Sequence, residues 1–145
     1  MIFGGRIIMR KEHAPKIYRK KEDIDFEIAF YENILKDTPN FIEALGAIGD
    51  LYTKAGLWQK GLEVDIKLSN LRPEDAIVFY NLACSYALLN QTRAALGALT
   101  KAIDFGYDDF EHLKGDADLD NLLKDDHFQQ YIKRMEKKKK PTKHF

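Results

Sequence analysis

The chain has 145 residues, which suits one domain, and its 45% hydrophobic and 32% charged content fits a soluble globular protein and excludes wholesale disorder. Lysine plus arginine (23) balances aspartate plus glutamate (23), so no global field draws it to nucleic acid or an anionic membrane. The one cysteine, Cys84, excludes an internal disulfide, lacks the partners a structural zinc site needs, and points to a reducing, cytoplasmic setting.

Residues 1–22 are basic through Arg6, Arg10, Lys11, Lys16, Arg19, Lys20 and Lys21, contain Pro15, and are expected to be a flexible extension. The Met1 to Met9 stretch is too short and interrupted for a secretory signal, nothing reaches the length of a membrane span, and both methionines stand as candidate starts. The first amphipathic helix is predicted from about Asp23 to Lys36.

The next helix, about Phe41 to Ala55, shows its apolar stripe in Leu45, Ile48, Gly49 and Tyr52, recurring every three and four residues. Gly56 breaks it. Its partner, Trp58 to Leu71, carries Gly61, Leu62, Ile66 and Leu68, and Pro73 marks where it has ended. The pattern then returns 34 residues later in Phe79, Leu82, Ala83, Tyr86, Ala95, Leu96 and Ala102, on helices predicted at Glu74 to Leu89 and Thr92 to Asp104. Small residues at Gly49, Ala83, Gly61 and Ala95 allow helix axes to approach closely, and larger neighbours such as Tyr52 and Tyr86 fill the seams. After Gly106 a truncated third unit begins at Tyr107, continues through Asp118 to Lys124, and ends in a helix near Asp125 to Lys138. The run Lys137 to Lys140 opens a basic tail.

These residues resemble the tetratricopeptide-repeat family, of the small bacterial type. The likeness rests on Leu45, Gly49, Tyr52, Gly56, Gly61, Leu68 and Pro73, then Phe79, Asn81, Leu82, Ala83, Tyr86, Ala95, Leu99 and Ala102, and covers about Asp23 to Phe128. It implies an all-α, right-handed α-solenoid of antiparallel helix pairs. The expected division is a half repeat at 23–41, repeats at 42–75 and 76–109, a degenerate third repeat with a capping helix at 110–138, and a tail at 139–145. Asp65 departs from the pattern, because Tyr31 and Leu99 occupy the equivalent places. It is expected at the helix edge, with Val64 or Ile66 filling the seam; the alternative is a partly buried carboxylate bonded to a neighbouring donor.

The resemblance further implies that the first helix of each pair lines a concave groove holding a partner peptide. The matching positions are Glu43, Gly46, Asp50 and Lys54, then Ile77, Tyr80, Asn81, Cys84 and Leu88. Acids with exposed apolar area call for a peptide or helix carrying basic and apolar residues. Chaperone carboxylate tails do not fit, since Gly46, Asp50, Glu111 and Gly115 stand where cations or an asparagine would be needed. Self-association stays open.

No chemistry competes with this. His13, His112, His127 and His144 form no metal motif and read as surface residues, and phosphate-binding glycine loops are absent, so no metal or cofactor is expected. Asp116, Asp118, Asp120, Asp125 and Asp126 lack the glycine and glutamate of a calcium loop and read as helix caps. No catalytic residues are assigned. The expected function is a non-catalytic interaction module, a scaffold or assembly subunit; the alternative is an accessory of RNA or membrane surfaces working through the basic ends.

Overall fold

The computed structural model describes residues 21–139, with the backbone of two short strands, β1 (Ile2–Phe3) and β2 (Arg6–Ile7). The strands pair antiparallel, with Ile2 opposite Ile7. The expected flexible segment 1–22 and tail 139–145 fall mostly outside the described residues.

The body is all-α. Five helices follow one another: α1 (Lys21–Asp37), α2 (Ile42–Lys54), α3 (Trp58–Leu71), α4 (Ala76–Leu88) and α5 (Thr92–Asp104). Each packs mainly on its neighbours in sequence, the signature of an α-solenoid built from helix pairs. Beyond them come α6 (Phe110–Lys114), a 3-10 turn at Ala117–Leu119, α7 (Asp120–Leu123) and α8 (Asp126–Lys138). The 3-10 turn and β2 both lie against α4, while α7 packs on α5 and α8.

Helix ends follow local chemistry. Asp75, in extended backbone, accepts the free amides of Ile77 and Val78 at 3.0 and 3.2 Å, so α4 starts after it. Asp125 does the same for Phe128 at 2.9 Å and Asp109 for His112 at 3.0 Å. The capping expectation for Asp125 and Asp116 is met, Asp116 Oδ1 accepting from the amide of Asp118. At the other ends, Gly56 and Asn90 adopt φ of +77° and +58°, and the amides of Leu57 and Gln91 reach back to the carbonyls of Tyr52 and Tyr86. These turns stand at the same place in the repeat.

Among the described residues the core falls into three clusters. Ile28, Ile48, Leu51 and Tyr52 join α1 to α2, and Leu45, Leu68 and Val78 join α2, α3 and α4. The largest cluster runs from Leu62 through α4 and α5 to Leu113, Leu119, Leu122, Phe128 and Ile132. Small residues set the spacing: a Cβ on Gly61 would stand 3.1 Å from Thr53 Oγ1 and 3.6 Å from the Gly49 carbonyl oxygen. Ala83 and Ala95 are likewise fully buried.

Gly61→Leu and Ala83→Leu should each destabilise the fold by roughly 1–3 kcal/mol, since overpacking forces side chains off rotamer and moves the backbone. Thermal melts followed by circular dichroism check this; unchanged midpoints in both would overturn the close helix approach.

Candidate functional site

The first helices of the two pairs, α2 and α4, carry the residues expected to line the groove. On α2, Glu43 is exposed and Gly46 half-buried. Asp50 is buried and paired with Lys54 one turn on, Nζ to Oδ2 at 3.0 Å, and Lys54 is half-buried. On α4, Ile77 and Leu88 are half-buried, whereas Tyr80, Asn81 and Cys84 are buried.

Tyr80 therefore corrects the sequence reading. Expected to offer exposed apolar area, it is 0% exposed, as is Cys84. The reason is the third unit, which packs its α6 and 3-10 segment over this part of α4. Tyr107 stacks on the Tyr80 ring at 4.4 Å with an interplanar angle of 18°, and the His112 ring lies 5.5 Å away. The Tyr80 hydroxyl donates to Asp116 Oδ2, and Cys84 Sγ–H points at the same oxygen from 3.7 Å. His112 Nε2 stands 3.6 Å from that oxygen, so His112 is half-buried in this assembly rather than a surface histidine.

A third buried carboxylate, after Asp50 and Asp116, lies on the α3 side. Asp65, expected at the edge, is 1% exposed, and Ser85 Oγ of α4 donates to its Oδ2 at 2.5 Å. Val64 and Ile66 do not replace it, because Ser85 gives the carboxylate a donor inside the seam. An unpaired buried charge there would cost several kcal/mol.

Electrostatics follows burial. Desolvation first, then Cys84 and the Asp116 hydrogen bond, push the Tyr80 phenol far above its ordinary 10.0. Burial is also the leading cause that raises Tyr107 and Tyr52, the latter helped by its 2.8 Å hydrogen bond to Glu32. Among the described residues Cys84, Asp116 and Asp118 hold ligand-type atoms within 4.8 Å of one another and are the set that could hold a metal ion. The phenol and thiol protons already engage Asp116 Oδ2 there.

Sequence reasoning missed Tyr107, His112 and Asp116 as parts of one assembly with α4. Asp116 lies 36 residues from Tyr80 and 32 from Cys84, and it has no acidic counterpart one repeat earlier, where Leu82 stands.

Tyr80→Phe keeps the ring and removes the donor to a buried carboxylate, so it should destabilise by roughly 1.5–3 kcal/mol in urea unfolding. Equal stability of variant and parent would show that the hydroxyl is dispensable. The raised phenols bind protons more tightly folded than unfolded. Their contribution is complete below pH 10.0 and is lost progressively as pH climbs beyond it. A helical signal in circular dichroism that melts more readily above that pH is the expected readout.

No family model matches the chain. It is 36% identical over 88 residues to a chloroplastic protein of Arabidopsis thaliana, a match spanning 59% of this chain and 26% of that protein. The chain thus spans about a quarter of that relative's length. Among solved structures it is similar to that titled Crystal structure of MamA, with a TM-score of 0.67 and 24% identity, over 82% of this chain and 74% of the other. That likeness concerns the fold alone, and the fold is a tetratricopeptide-like helical solenoid.

Proposed function

We propose that the chain is a non-catalytic protein-interaction module whose unit at residues 23–138 holds a peptide or helix of a partner along the α2–α4 face, as a scaffold or assembly subunit. One observation carries the reading. Glu43 of α2 is exposed and Ile77 and Leu88 of α4 are half-buried, while α4 itself is held by buried hydrogen bonds to Asp116 and Asp65. A rigid helix lowers the entropy lost on binding, and these side chains select a partner with basic and apolar residues. Tyr80 and Cys84, the nucleophile-type groups of the face, are sealed from solvent, which favours holding over reacting.

Among the described residues no helix is long and apolar enough to cross a membrane. A cytoplasmic site of action belongs to the same proposal and rests on the chain's single cysteine, Cys84, which has no second cysteine to form an internal disulfide.

The test is capture of the native partner from the source cell by the parent and by a Glu43→Lys, Ile77→Asp double variant. The variant should bind at least about tenfold more weakly while keeping the parent's helical signal in circular dichroism at the assay temperature. Full capture by the folded variant would overturn the groove. If neutralising Lys137 and Lys138 then abolished capture and salt weakened it steeply, the basic end would be the binding element.

A further inference from the structure

The outer face of α1 carries an apolar ridge that helix packing does not require. Ile24, Ile28, Tyr31 and Leu35 face the core, whereas Phe26 is 73% and Phe30 52% exposed, one helical turn apart. Their repeat counterparts explain what is unusual. Phe26 corresponds to Lys60 and Ala94, both exposed, so neither an aromatic nor an apolar side chain is needed there. Phe30 corresponds to Val64 and Ala98. Val64 packs on the cluster to which α1 contributes Ile28, and Ala98 lies in the cluster to which α3 contributes Leu62. Within the stack, this position is thus packed against the core and not left as an exposed aromatic.

At α1 the same position faces solvent. Two aromatic side chains one helical turn apart fit the apolar stripe of one more helix laid along α1. Charge narrows its chemistry. Around the two rings the exposed positions of α1 hold Glu22, Asp23, Asp25 and Asp37 against Lys21 and Lys36. A second copy of α1 would bring the same acids together, whereas a helix with lysines or arginines beside its apolar stripe meets them favourably.

We propose that the Phe26–Phe30 face of α1 is a docking surface for a basic amphipathic helix of a partner chain, which adds a further layer to the stack. This surface is separate from the α2–α4 groove. Phe26 and Phe30 supply the apolar anchors and the acids set the partner's charge. Exposed aromatics of this kind carry binding energy without a role in the monomer's core.

The probes are two synthetic amphipathic helical peptides, one of leucine and lysine and one of leucine and glutamate, titrated by fluorescence anisotropy against the full chain. The lysine peptide should bind at least about tenfold more tightly than the glutamate peptide. Phe26→Ser with Phe30→Ser should weaken it by about tenfold or more with an unchanged melting midpoint, while Glu43→Lys with Ile77→Asp leaves it intact. Loss in the groove variant and retention in the α1 variant would overturn the proposal while leaving the groove reading standing. Analytical ultracentrifugation of the chain alone supplies the remaining arm. A dimer that disappears in the Phe26→Ser, Phe30→Ser variant would make a second copy the occupant and overturn the heterologous helix.

Discussion

The Asp116 carboxylate, buried beneath the Tyr80 hydroxyl and the Cys84 thiol, is the interaction on which the rest of the structure depends. Helix α4 shows why. Nine of its 13 residues are buried, on every side, because it is clasped between α3, α5 and the third unit. A helix apolar all round has no stripe to fix its rotation, and burial alone would accept several. Asp116 on one side and Asp65 on the other resolve the ambiguity. Each is a carboxylate that becomes several kcal/mol unfavourable without its donor, and the donors, Tyr80, Cys84 and Ser85, occupy set positions on α4. Rotating the helix would strand both.

That arrangement divides the labour along the chain. The half built from α4, α5 and the third unit holds the largest core cluster and the polar clasp. The half built from α1 and α2 has smaller clusters, and it exposes the aromatic residues Phe26, Phe30 and Phe41. The residues expected to line a groove split the same way: Glu43 stays in solvent on α2, while Tyr80, Asn81 and Cys84 are buried on α4. A partner on the α2–α4 face would rest on a rigid wall at one end and meet free charge at the other. The third unit, lacking a full helix pair, acts as a cap whose leucines Leu113, Leu119 and Leu122 close the end of the core.

The sequence by itself determined the helices and their order. The stripe Leu45, Ile48 and Tyr52, its return at Phe79, Leu82 and Tyr86, and the turn residue Gly56 are local signals, governed by helical period and by backbone preference for positive φ. They suffice to place α3 and α5 at the residues observed and the other main helices within two residues. Packing partners of adjacent helices follow, since short connections leave few alternatives. What only the tertiary structure decided is the environment of each polar residue on the buried helix. Tyr80 reads as a groove residue from the family resemblance, Asp65 as an edge residue from spacing, and His112 as solvent-facing. Their burial depends on Asp116, Ser85 and Tyr107, which arrive from other elements and do not follow the repeat. No periodic pattern encodes which donor meets which carboxylate, because that pairing forms only when distant segments exclude water together.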